Sequence, residues 1–269
     1  MNEAIQNAIL ATLAADRYSL GAHWIYDEKE LQNLEINWQE LSAPQSLWHR
    51  GKKRGDLTHY GEHLLFLIEF LRKNTHFDRE AYYAFWREKM ADYGGYVDAS
   101  SRETLENIGA SSKDLSICGR IAPLLLCSST KEEFLKNVTA FVSVTHNSEL
   151  ALKASAFFAE LLWESQNNHN RVELIQNLKE SHSHFSEWIN AALEKKDAPS
   201  FETIREFGPA CGIDGGFAGV IYLLLQDKSF KELMIENAKA GGDSSARAMT
   251  VAMILGVSNT AEIPQEWLA

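Results

Sequence analysis

Apolar residues recur at three- and four-residue spacing along most of the chain, which is the period of a helix with one buried face. In residues 4–15 the small set Ala4, Ala8, Ala11 and Ala15 runs beside Ile5, Ile9, Leu10 and Leu13, a pattern suited to a helix packed closely on its neighbour. The stretch EHLLFLIEFLR at 62–72 is apolar almost all round and reads as a central buried helix. SELALKASAFFAELLWE at 148–164 predicts a helix capped by Ser148. Further helical patterns lie in AFWREKMADY, KEEFLKNVTAFVSV, RVELIQNLKESHSHFSEWINAAL and FAGVIYLLLQ, and an Ala- and Met-rich helix follows Asp243. Period-two alternation, the mark of a half-buried strand, is missing. The irregular stretch 42–56 and the polar connection 194–200 are too short for interdomain linkers, and no repeat of 20–50 residues is present. The pattern therefore predicts an all-α protein, one orthogonal multi-helix bundle forming a single domain over 1–269.

Composition narrows the partners. With 269 residues, 45% of them hydrophobic, the chain can bury a substantial core. A net charge of −11 and an isoelectric point near 5.3 oppose a surface for nucleic acid or anionic membrane, which would need a basic footprint. A small anionic ligand is still compatible if local positive groups receive it. No apolar run approaches the ~18 residues of a membrane span. Cys118, Cys127 and Cys211 show no paired spacing, and an odd number cannot form a complete set of intrachain disulfides, so a reducing cytoplasm is the simpler expectation. The opening MNEAIQNAILATLAAD imitates a secretion signal only loosely, because its early charge is Glu3 where a signal carries Lys or Arg.

Helices that bury their sides leave their ends and connecting loops for chemistry. Five polar stretches precede apolar segments: GDLTHYGEH (55–63), YVDASSRET (96–104), SSKDLSICGRIAPLLL (111–126), VTHNSEL (144–150) and GGDSSAR (241–247). Each also has an ordinary structural explanation. Asp243 or Ser244 suits a helix cap, and Glu62 in a first turn is favoured by the helix dipole. His146 suits a satisfied core histidine, Asn147 a turn, and Arg120 the neutralisation of a nearby carboxylate. Asp16, between an apolar helix and RYSLGAHW, is equally open to either reading.

The order of these landmarks adds information. AILATLAADRYSLGAHW, GRIAPLLL, VTHNSELALKASAFFAELL and AGGDSSARAMTVAMILG together resemble, over most of the chain, the ADP-ribosylglycohydrolase family. DLTHYGEHLL with GGDSSAR is most similar to the divergent branch that includes J-type crystallins and a related selenoprotein group. The resemblance implies an all-helical fold and hydrolysis of an N- or O-glycosidic bond in an ADP-ribose-like small molecule or ADP-ribosylated substrate. It implies Glu62 and Asp243 as catalytic carboxylates, and Glu62, Asp243 and Asp16 as metal ligands. Thr58, His59, Tyr60, Tyr96, Arg120, His146, Asn147, Ser244, Ser245 and Arg247 become substrate contacts, with Arg120 and Arg247 toward a diphosphate and Tyr60 or Tyr96 stacking on a base or ribose. The family's usual acid motifs are depleted: the first falls on YGEH, and the second reads Asp243-Ser244-Ser245-Ala246. One Mg²⁺ or none is expected in place of two. The same depletion supports an alternative, a non-catalytic ADP-ribose- or nucleotide-binding or structural relative with a degenerate metal site. Under either reading Glu62, His146 and Asp243 are expected around one cleft.

Overall fold

A computed structural model describes residues 3–268; Met1, Asn2 and Ala269, which the expected domain 1–269 includes, lie outside them. Among the described residues the chain forms α1 (Glu3–Ser19), α2 (Glu28–Gln32), α3 (His59–Lys73), α4 (Arg79–Ala91), α5 (Ala99–Glu106), α6 (Lys131–Thr145) and α7 (Glu149–Glu164). There follow α8 (Arg171–Ser181), α9 (Ser186–Glu194), α10 (Ser200–Phe207), α11 (Ile213–Leu225), α12 (Phe230–Lys239) and α13 (Ser244–Val257). The all-α expectation holds: strand-like pairing among the described residues is confined to the isolated bridges Ile25 with Gly242 and Asp114 with Gly212. None of the helices is long and apolar enough to cross a membrane.

Helix α13 is the axis of the core. Every residue from Ser244 to Val257 is buried, so its low polarity on all sides reflects neighbours on all sides. Helix α1 lies along it, and small residues explain the closeness: Ala8, Ala11 and Ala15 of the set read from the sequence are wholly buried together with Ala14, while Ala4 is partly buried. At the crossing, a Cβ on Gly256 would stand 2.6 Å from the Ala8 Cα and 2.6 Å from the Asn7 carbonyl oxygen. Glycine there sets the distance between the two helices. Leu64, Leu67 and Phe70 of α3, Phe157 and Phe158 of α7, and Phe217 and Tyr222 of α11 complete the same core.

Two stretches depart from a simple helical reading. The apolar run IAPLLL lies in 3₁₀ turns, Leu115–Arg120 followed by Ala122–Cys127. Pro123 lacks an N–H and disfavours α geometry at the residue before it, which shortens the turn. The pattern over 171–193 is interrupted at Ser181–His182–Ser183, where α8 ends and a 3₁₀ turn (Ser183–Phe185) leads into α9. Ser181 Oγ returns a hydrogen bond to the Leu178 carbonyl, and Ser186 Oγ one to Lys179. Such local bonds compete with the helical ladder. YVDASSRET is only partly loop, since Asp98 caps α5 within it.

Candidate functional site

The helix N-termini of α3 and α13 meet the end of α1 through buried carboxylates. Thr58 caps α3 and Asp243 caps α13, each by accepting from a backbone N–H of the first turn. Asp16, at the end of α1, joins both helices: it accepts from Thr58 N (2.8 Å), Thr58 Oγ1 (2.5 Å) and Ser245 Oγ (2.5 Å). Burial raises its pKa, and these donors work against that shift. Asp243 accepts from Ala246 N at 3.1 Å and from the Tyr60 hydroxyl at 2.9 Å, and His23 Nδ1 stands 3.6 Å away. Burial raises its pKa as well and keeps His23 far below the ordinary imidazole range.

Outside this layer lies a pocket of about 600 Å³ lined by Trp48, His49, Lys52, His59, Glu62, Tyr93 and Tyr96, among others. Glu62, in the first turn of α3, turns its carboxylate into the pocket wall, where it pairs with the Lys52 ammonium and accepts from the Tyr93 hydroxyl. Trp48 stands edge-on to Tyr96 and to Trp24, with ring centroids 6.0 and 6.4 Å apart. His49 and His59 stack or tilt against Trp24 at 5.2 and 5.1 Å. Trp48 is 60% exposed, so a broad apolar surface stands at the pocket mouth.

Beneath the pocket, Arg120 is almost wholly buried. Its guanidinium donates to the Ser116 carbonyl and Ser116 Oγ, each at 3.2 Å, approaches His63 Nδ1 at 3.4 Å, and lies 6.0 Å from the Tyr60 ring centroid. His146, at the end of α6, is fully buried with its Nδ1 2.8 Å from Thr145 Oγ1. Burial first, and then the Arg120 charge, depress His63 and His146 to about 3; burial and the neighbouring His59 hold His49 at about 4. These three rings are neutral at physiological pH.

The other candidates do not share one place. His59 and Tyr96 line the pocket beside Glu62; Thr58, Tyr60, Ser245, Asp16 and Asp243 form the buried layer behind it. Arg247 is directed inward, donating to Asn237 Oδ1 at 2.9 Å and to the Gly241 carbonyl at 2.7 Å, where it braces the turn before α13. Ser244 is buried with its Oγ unpartnered, and Asn147 is exposed just after the end of α6, its N–H bonded to the Ala110 carbonyl at 2.6 Å. Of Glu62, His146 and Asp243, expected around one cleft, Glu62 lines the pocket, Asp243 lies in the buried layer bonded to Tyr60 of α3, and His146 is buried at the end of α6. Trp48, His49, Lys52 and Tyr93 are not among the site residues expected from the sequence, although Lys52 belongs to the basic cluster Lys52-Lys53-Arg54 there; the aromatic and basic density of SLWHRGKK and the YGGY turn are the available signals.

Among the described residues Glu62, Asp16 and Asp243 are not gathered into one close group. Glu62 already faces an ammonium, and the oxygens of Asp16 are taken by three donors. The described residues do contain one group of side chains that could hold a metal ion, Asp114, Cys211 and Asp243, whose ligand atoms all lie within 4.8 Å of one another. Asp114 caps the Leu115–Arg120 turn through Ser116 N at 2.9 Å, and burial together with the Asp243 charge pushes it up to about 7.

Comparison with known proteins agrees with this architecture. Crystallin J1A and crystallin J1B of Tripedalia cystophora are each 24% identical, over 97% of this chain and 90% of theirs. The fold matches a solved structure titled ADP-ribosylglycohydrolase-related protein complex at a TM-score of 0.72, with 17% identity over 98% of this chain and 90% of that one. The ADP-ribosylglycohydrolase family matches the sequence over residues 1–269, and the chain belongs to that family.

Proposed function

We propose that the pocket beside Glu62 binds an ADP-ribose-like glycoside and that the protein hydrolyses its N- or O-glycosidic bond. The observation that carries this reading is a carboxylate in the wall of a pocket that also offers aromatic faces and cations: Glu62 shares the lining with Lys52, Arg50, Trp48 and Tyr96. The aromatic edges and faces suit a base or ribose. Arg50 and Lys52 suit phosphate oxygens. An oxocarbenium-like transition state is stabilised by nearby negative charge, and a carboxylate can take the proton of the attacking water. Glu62 is the pocket's own group for both roles, with Tyr93 and Lys52 fixing its orientation. Asp16 and Asp243 act from behind, holding the ends of α3 and α13 in register.

The same geometry favours a second reading. A carboxylate matched by an ammonium and a phenol is a poor base until ligand binding draws Lys52 away, so the pocket also suits a binder without turnover, in keeping with the crystallin relatives. Calorimetry with ADP-ribose and chromatographic assay of ADP-ribosylated substrates separate the two. Glu62→Gln is expected to keep ADP-ribose affinity within about threefold and to lower turnover about 10²-fold or more, the scale of acid–base catalysis. Binding without turnover in the wild type selects the second reading, and no ADP-ribose binding at millimolar concentration rejects both.

A further inference from the structure

The loop between α2 and α3 carries a surface that the pocket does not use. Leu47 is 72% exposed and Trp48 60%, whereas the remaining exposed large apolar side chains among the described residues stand at 41–42%. Scattered singly, such residues need no account, but here the two most exposed are neighbours on one turn. Backbone bonds hold that loop in shape: His49 N donates to the Ser46 carbonyl (3.3 Å), Lys52 N to His49 (3.1 Å) and Asp56 N to Lys53 (3.1 Å). Gly51 and Gly55 supply the left-handed positions between them, with φ +89° and +86°. A loop already set in its shape loses little freedom when a partner lands on it.

Charge in this loop runs against the charge of the chain. Residues 46–54 hold Arg50, Lys52, Lys53 and Arg54 and no acid, in a protein of net charge −11. Glu62 engages Lys52, and Glu40 meets Arg54 at 2.9 Å in an open pair of the kind that contributes little and exchanges readily for another carboxylate. Arg50 and Lys53 are exposed and form no ion pair among the described residues. Exposed apolar anchors beside cations make the composition of an interface with a polar rim, and Trp and Arg are the side chains that most often carry such interfaces. On its inner side the loop reaches the pocket through Trp48, Arg50 and Lys52, so a partner docked on its outer side lies at the pocket mouth.

We infer that Leu47, Lys53 and Arg54, continued toward the pocket by Trp48 and Arg50, form a docking surface for an acidic protein segment that carries an apolar side chain. The carboxylates of the segment meet the loop's cations, and its apolar side chain covers Leu47 and Trp48. A nucleic acid fits less well, because its phosphates would run past the short basic loop onto a protein that is acidic as a whole. An anionic membrane meets the same repulsion. The inference rests on the pocket reading in one respect: the docked segment bears the ADP-ribosyl group on which Glu62 acts, which makes acidic proteins the substrate class.

The test is fluorescence anisotropy of the full chain with a labelled, unmodified peptide of glutamates flanking one leucine, beside a glutamine version of that peptide, single-stranded DNA and phosphatidylserine vesicles. Expected is saturable binding that weakens as salt rises, as exposed pairs do, and that the glutamine peptide, the DNA and the vesicles do not match. Leu47→Ser and, separately, Lys53→Glu combined with Arg54→Glu should each weaken it at least ~5-fold, the scale that marks a contributing interface residue. All three side chains are exposed, a thermal melt checks the fold, and the glutamine comparison needs no variant. With the glutamate peptide carrying ADP-ribose, the same variants should raise KM at unchanged kcat and leave hydrolysis of a small ADP-ribosyl glycoside unaltered. Equal binding of the glutamine peptide, unaltered affinity in both variants, or tighter binding of DNA or vesicles overturns the assignment. So does a wild-type dimer that Leu47→Ser dissociates, which gives the face to a second copy. Peptide binding without ADP-ribose turnover keeps the docking surface and rejects the hydrolytic reading, whereas turnover with a KM blind to the loop does the reverse.

Discussion

Replacing Asp243 separates its capping role from its charge. Its Oδ1 accepts from Ala246 N and its Oδ2 from the Tyr60 hydroxyl, and the residue is 1% exposed, so water replaces neither partner. In Asp243→Ala the lost cap costs about 0.5–2 kcal/mol. The Tyr60 hydroxyl, stranded in the interior, adds about 1–3 kcal/mol. A total of about 1.5–5 kcal/mol corresponds to a fall in Tm of roughly 3–20 °C, taking about 2–4 °C per kcal/mol for a chain of this size. Asp243→Asn keeps an amide oxygen for the cap, and the phenol can turn to accept from the amide, so its melt should lie within about 1 kcal/mol of the wild type. Burial already disfavours the Asp243 charge, which limits what neutralisation can cost. The assay is a thermal melt in chelator, repeated in the Tyr60→Phe background, where the Ala penalty should shrink by about 0.5–3 kcal/mol because the stranded hydroxyl is gone. An Ala variant that melts with the wild type, or a penalty unchanged by Tyr60→Phe, would refute this account of the layer. An Asn variant that melts normally but loses ADP-ribose binding would show that the charge serves function beyond the cap.

Further outcomes follow from the same geometry. Gly256→Ala should destabilise by about 1–3 kcal/mol through overpacking against Ala8, outweighing the ~1 kcal/mol gain in helix propensity; a more stable variant in urea denaturation would show that α1 can shift freely. His63 and His146, depressed to about 3, and His49, to about 4, stay neutral in the fold while the unfolded chain protonates them near 6.5. Their contribution is therefore complete above about 6.5 and lost as pH falls toward 3–4, each adding up to about 1.4 kcal/mol per pH unit to the slope. His146→Gln should reduce proton uptake on unfolding at pH 5 by about one, and an unchanged uptake in denaturation across pH would place that ring in water. Lys52→Met should leave the melt within about 0.5 kcal/mol, since partly exposed ion pairs contribute little, yet weaken ADP-ribose binding in calorimetry; unaltered affinity would remove Lys52 from the phosphate side.

The sequence by itself determined the helical architecture but not its central element: 62–72 reads as the central buried helix, whereas α13 is the axis of the core and α3 leaves Leu65 exposed. Apolar period, the alanine stripe of α1 and the uncharged run after Asp243 are local properties, and the family landmarks are short contiguous motifs, so each is readable without coordinates. It also marked Glu62 and Asp243, because a helix N-terminus preceding an apolar run advertises its cap and its first-turn acid. What only the tertiary structure decided is which polar groups spend themselves on each other. Asp16 is consumed by Thr58 and Ser245, Arg247 by Asn237 and Gly241, and Glu62 by Lys52 and Tyr93, pairings between residues as much as 229 positions apart. Asp114 and Cys211 lie in segments that three backbone hydrogen bonds bring against Asp243, a proximity that the sequence does not show. Trp48 and Tyr93 reach the pocket from an irregular loop and a glycine turn, which have no period to read. Helix formation follows from neighbours along the chain, whereas the charge state and availability of a side chain follow from neighbours in space.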